Sequence, residues 1–169
     1  MIANILKNID RLSIFCGKAV AWLIPVLILE LVYDTLARYV FNAPTFWSYD
    51  VSYMLYGTIF MIGAAYTLFR DEHVRIEVIY DKASARTKAL IDVVGYIVFF
   101  FPSLIALLYF GSGFAFKSFK MLESSGESMW GPPIYPFKAV IPLAAILLLL
   151  QGIAQFLRSM GTLFERNGK

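Results

Sequence analysis

Glu30, Asp34 and Arg38 are two acids and a base spaced four residues apart. On a helix that spacing stacks them along one face. They close a long apolar run, where charge is expensive. With Arg38 near one membrane surface, Glu30 lies about 12 Å deeper at the helical rise. That is close to the middle of a hydrocarbon layer roughly 30 Å thick. A carboxyl at that depth must be protonated, paired or covered by protein or water. Three kinds of chemistry suit the stripe. A proton-coupled transporter exchanges a proton on a buried carboxyl. A helix–helix interface uses the same acids as buried hydrogen-bond partners. In the simplest case Asp34 and Arg38 pair at the rim, with the acid N-terminal to the base, the favourable order. The interface reading is preferred.

The other polar residues are read in the same way. Asp50 opens the second apolar run and reads as a helix-start charge favoured by the dipole, with a transported-ion ligand as the weaker reading. Across the short turn it is also the expected ion-pair partner of Arg38. His73 sits in a polar loop as a hydrogen-bonding residue, with a pH sensor as the alternative. Gln151 and Gln155, four apart, are expected to bond across helices, with a substrate path as the weaker reading. Gly63-Ala-Ala65 reads as a close-packing site. There is no phosphate loop, nucleophile elbow, HExxH or CxxC, so no enzyme is expected. Cys16 is the single cysteine and His73 the single histidine. An intrachain disulfide, bis-His haem ligation and a self-contained zinc site are therefore excluded. No cofactor is expected.

These residues must be positioned by a membrane fold. Of the 169 residues, 59% are hydrophobic and 16% charged, unlike a soluble domain. An all-α membrane protein is predicted, one domain over residues 1–169, with four transmembrane helices near 18–39, 47–69, 90–116 and 139–157. Residues 1–18 place Ile2, Ile5, Leu6, Ile9 and Leu12 opposite Asn4, Lys7, Asn8 and Arg11, as in an amphipathic interfacial helix. A signal peptide is the rival. Glu30 and Asp34 follow the apolar run 19–29 at once, with no small-x-small cleavage site, which counts against it. Pro25 and Pro102 lie inside spans and are expected to kink them.

Residues 41–44 form a short turn, making spans one and two an antiparallel hairpin. In the loop 117–138, Gly126 and the prolines stop helix, and Trp130, Tyr135 and Phe137 suit the headgroup level. Eleven Lys and Arg flank the spans on the side of both termini and the 70–89 loop, against four on the other. The positive-inside rule then puts both termini in the cytoplasm and the Trp47 and Trp130 loops outside, in the periplasm of a bacterial inner membrane. The basic residues punctuate apolar runs instead of gathering into a patch, so lipids, not nucleic acid, are the expected partner.

Several stretches together resemble the small membrane subunit of tripartite ATP-independent periplasmic (TRAP) transporters. They are Arg38-Tyr-Val-Phe-Asn42, Trp47-Ser-Tyr-Asp50, Gly63-Ala-Ala-Tyr66 and Arg70-Asp-Glu-His73-Val-Arg75-Ile-Glu77. Trp130-Gly-Pro-Pro-Ile-Tyr-Pro-Phe-Lys138 and Ile141-Pro142 complete the set, which covers roughly residues 30–145. Asp50 stands where many relatives carry Glu, and Glu77 where many carry Asp; both keep the charge. The resemblance implies a large membrane subunit that holds the sodium and substrate sites. It also implies a soluble periplasmic binding protein that delivers an organic acid. The small subunit would pack on the large one's static scaffold and help dock the binding protein. On that footing Glu30, Asp34, Arg38, Asp50, Gln151 and Gln155 are the expected interface or buried polar residues. Ala43, Trp47, Ser125, Glu127 and Trp130 are the expected docking region. Arg70, His73, Arg75 and Glu77 form a cytoplasmic loop motif. The alternative is a stand-alone, proton-coupled small multidrug exporter using Glu30.

Overall fold

The computed structural model describes residues 2–70 and 85–164. Seven α-helices and one π-helical turn make up the described chain: α1 (Ile2–Ala21), α2 (Leu23–Tyr39), α3 (Ser48–Phe69), α4 (Ala85–Gly95), the π turn (Tyr96–Phe100), α5 (Phe101–Lys120), α6 (Tyr135–Lys138) and α7 (Val140–Phe164). Among the described residues, four helical stretches are long and apolar enough to cross a membrane: Ala3–Tyr39, Ser48–Phe69, Thr87–Lys120 and Tyr135–Leu163.

Both prolines act one turn upstream of themselves. A proline lacks the N–H that would bond the carbonyl four residues back, and its ring crowds that carbonyl. For Pro25 that residue is Ala21, where α1 ends. For Pro102 it is Val98, in the middle of the π turn. The ladder there widens, and Phe101 N–H bonds Tyr96 O, the five-residue spacing of a π-bulge.

The amphipathic N-terminal helix is present, and it runs into the first span with only Trp22 between them. Its inward residues are not the apolar set alone. Ser13 and Gly17 are buried, and Ile5 and Leu12 are exposed. The inward face continues through α2 as Ser13, Val20, Leu27 and Asp34, interleaved with Gly17, Glu30 and Ala37. The first four repeat every seven residues, the period of a coiled-coil seam.

α3 packs on α1, α2 and α7, α1 also reaches α7, and α7 in turn packs on α4 and α5. Small residues make the contacts: Ala65, Ala145 and Ala154 are 0% exposed. In lipid, close approach and dispersion replace the hydrophobic effect as the reason helices associate, so small residues sit where they cross. A Cβ on Gly17 would fall 2.5 Å from Tyr66 Cβ, and one on Gly152 2.2 Å from Phe100 Cε1. Ile62, Ala65 and Leu147 form the apolar centre between α3 and α7, with Cys16 and Val20 of α1 against it. In the corner between α3 and α4–α5, over Leu148 of α7, lies an apolar groove of about 580 Å³ walled by Leu68, Tyr96 and Phe100.

Candidate functional site: polar clusters at the two ends of the helices

The first cluster joins the C-terminal end of α2 to the N-terminal end of α3. Glu30 is buried and accepts a hydrogen bond from the Ser48 hydroxyl at the start of α3. One turn on, Asp34 accepts from the Thr45 hydroxyl and from the Arg38 guanidinium at 3.0 Å. Tyr33 stacks on Trp47 at 5.9 Å between ring centres. The stripe thus faces the connection 40–47 and the first turn of α3, because the antiparallel hairpin returns the chain along the same face. Asn42, at φ 50, lets the backbone turn there, a conformation asparagine tolerates.

Arg38 and Asp50 do not pair. Arg38 bonds its own helix neighbour Asp34. Asp50 lies on another face of α3, 1% exposed, and holds the loop after α5. Its Oδ1 accepts from Ser125 Oγ at 2.5 Å and its Oδ2 from the Ser128 hydroxyl. Each serine oxygen then accepts a backbone N–H, from Glu127 and Trp130 respectively. Asp50 sits in the first turn of α3, where the helix dipole also favours its charge. The loop is a short hairpin closed by Ser125 N–H to Pro132 O and Ile134 N–H to Glu123 O. Leu122 (φ 48) and Gly131 (φ 56) supply its left-handed turns. At its base Lys138 Nζ lies 2.6 Å from Glu123 Oε2 and 4.1 Å over the Phe114 ring. The hydrogen bond from Lys138 is the main cause that holds the Glu123 carboxyl below its ordinary range. Ser125 is therefore turned inward, whereas Ala43, Glu127 and Trp130 are exposed and Trp47 is half-buried.

The second cluster lies at the other end and ties α1 to α7. Gln151 is 0% exposed. Its Oε1 accepts from Ser13 Oγ at 2.8 Å, and its Nε2 donates to Asp10 Oδ1 at 3.2 Å. One turn on, Gln155 Nε2 donates to the Leu68 and Phe69 carbonyls, orphan acceptors at the end of α3. Arg158 donates to Gln155 Oε1 at 3.0 Å and pairs with Asp10 Oδ2 at 2.5 Å. Three helices meet in this one network. Sequence reasoning placed Asp10 and Ser13 nowhere. The available signal was the seven-residue period running from Ser13 through Asp34.

Arg70 closes the described part of α3, whereas His73, Arg75 and Glu77 lie outside the described residues. Among the described residues no group of three or more His, Cys, Asp and Glu is arranged to hold a metal ion.

The family model described as "Tripartite ATP-independent periplasmic transporters, DctQ component" matches residues 27–162. No curated protein matches the chain. The matched region holds the stripe on α2, the Asp50 clasp and both glutamines, and begins after α1. Glu30, Asp34, Asp50, Gln151 and Gln155 in it bond neighbouring helices and loops, and the chain that carries them belongs to the DctQ component family of TRAP transporters.

Proposed function

We propose that this chain is the small scaffold subunit of a sodium-coupled, binding-protein-dependent importer of an organic acid. Membership of a family that is one component of a tripartite transporter supports a large membrane subunit and a periplasmic binding protein as partners. The observation that carries the scaffold role is the fate of the polar groups. Glu30, Asp34, Asp50 and Asp10 each hydrogen-bond a neighbouring element of the same chain. Such bonds fix helices and their connecting loops against each other and leave the coupling ion and substrate to the large subunit. The charge distribution supports cytoplasmic termini and outward 40–47 and 121–134 segments. Ala43, Glu127 and Trp130 are exposed at that outer end and suit contact with the binding protein. The family match does not favour a stand-alone exporter working through Glu30.

The test is reconstitution. The chain alone in liposomes moves no solute. Adding the large subunit, the binding protein and a sodium gradient gives uptake of an organic acid. Solute transport by the isolated chain would overturn the reading. Within the complete system, Arg38→Glu faces Asp34 with a second acid and is expected to reduce both assembly and uptake. Photocrosslinkers at Ala43 and Glu127 are expected to capture the binding protein.

A further inference from the structure

α3 carries a second seam that the chain itself covers only at Tyr53, whose ring meets Phe137 of α6 edge-on at 5.2 Å. Tyr49, Tyr53, Tyr56, Phe60, Gly63 and Thr67 follow one another at spacings of four, three, four, three and four. This heptad spacing keeps one stripe facing a neighbouring helix. The other faces of α3 are occupied: Ser48 meets α2, Tyr66 meets α1, Ile62 and Ala65 meet α7, and Asp50 meets the outer loop. The four aromatics of the stripe are between 48% and 69% exposed. From Tyr49 to Thr67 the stripe rises about 27 Å, close to the thickness of the hydrocarbon layer.

Two observations favour protein over lipid as its cover. Tyr53 and Tyr56 lie about 8 and 12 Å along α3 from its outer end, below the headgroup level that suits tyrosine. Neither hydroxyl has a hydrogen bond among the described residues, and hydrocarbon offers none. The second observation is at the other half of the stripe. A Cβ on Gly63 would meet nothing within 4 Å, so packing inside this chain does not require glycine there. Beside it a groove of about 400 Å³ runs between α3 and the α1–α2 junction, its lining holding Ala21, Gly63 and Ala64 beside the bulkier Ile24, Phe60 and Tyr66. Ala21 on one wall and Gly63 and Ala64 on the other are where another helix comes closest.

We infer that one transmembrane helix of the large subunit lies along this stripe. It presents hydrogen-bond acceptors to Tyr53 and Tyr56 and approaches most closely at Gly63. The inference rests on the chain being the small subunit of such a complex, and it names the face that docks.

The experiment uses the co-expressed, active transporter. Photocrosslinkers replace Tyr53 and Phe60, with Ile105 and Phe110, exposed on α5, as controls. Adducts of small with large subunit are expected at Tyr53 and Phe60 and at neither control. Gly63→Leu should lower recovery of the large subunit on the small one at least fivefold. Gly113→Leu, at a glycine whose added Cβ also meets nothing within 4 Å, should leave recovery unchanged. Adducts only at the α5 controls, adducts joining two small subunits, lipid adducts alone at Tyr53 and Phe60, or full recovery with Gly63→Leu would each overturn the assignment. If the unmodified chain fails to recover any large subunit, the scaffold reading itself falls.

Discussion

Ser13 on α1 donates its hydroxyl hydrogen to Gln151 Oε1 on α7, 2.8 Å away across 138 residues of sequence. The same glutamine donates to Asp10. One side chain thereby joins the N-terminal helix to the last span, at a position with no access to solvent.

Replacing Gln151 with Leu would leave the buried Ser13 hydroxyl without its acceptor and half-buried Asp10 with Arg158 alone. The expected cost is about 1–3 kcal/mol, the range for orphaning a buried polar group. Thermal unfolding of the detergent-solubilised protein measures it. An unchanged midpoint would mean that the network does not hold α1 in place.

Gly17→Ala tests the closest contact of α1 with α3. The added methyl would fall 2.5 Å from Tyr66 Cβ, an atom tied to the backbone that cannot swing away. Destabilisation of about 1–3 kcal/mol is expected from overpacking. Gly63→Ala, with open space around the new methyl, should stay within about 0.5 kcal/mol of the parent. Equal effects of the two substitutions would contradict this packing.

Asp50→Ala should release the loop after α5. Hydrogen exchange at the Ser125 and Ile134 amides, which close the hairpin, is expected to speed up at least tenfold. Asp50→Asn keeps one acceptor oxygen and should lie between the two. Exchange at α1 amides, remote from the clasp, serves as the internal control. If loop exchange is the same in the parent and the alanine variant, the clasp does not order the loop.

The Glu123–Lys138 contact gives the same loop an acid sensitivity. Its hydrogen bond from Lys138 lowers the Glu123 pKa from 4.5. The stabilisation is therefore complete above that ordinary value and is lost as pH falls through the lowered one. Ile134 amide protection should be flat from neutral pH to about pH 5 and drop on further acidification. Glu123→Gln should lack that drop. A drop of equal size in the variant would assign the sensitivity to another group.

How much of this was legible follows from what each feature depends on. The apolar spans and the short turn after the first are local matters of apolar run length and turn residues, so their presence can be read off the chain; the stop after α5 falls at Lys120 and turns on Leu122 and Gly131, not on Gly126. Asp34 with Arg38 is an i,i+4 pair and is equally local. Asp50 was placed at a helix start by its position, and its carboxylate does sit in the first turn of α3. Its partners could not be read, because Ser125 and Ser128 arrive from a loop more than seventy residues away. The expected Arg38–Asp50 pair failed for the same reason. Proximity along a hairpin does not say which face of the helix a side chain leaves from.

The amino-acid sequence by itself determined an all-helical membrane chain, its breaks at Pro25 and Pro102, and the kind of residue that must be covered. Periodicity, hydropathy and the missing N–H of proline act over one or two turns, and they need no knowledge of the rest of the molecule. Only the tertiary structure decided which side chains cover one another. It placed Ser13 on Gln151, Asp10 on Gln151 and Arg158, and Glu30 on Ser48, and left most of the tyrosine stripe of α3 open. Those outcomes depend on how each helix is rotated and which helix lies beside it. That choice is made by the summed fit of small residues such as Gly17, Ala65 and Ala145 at the crossings, not by any local pattern.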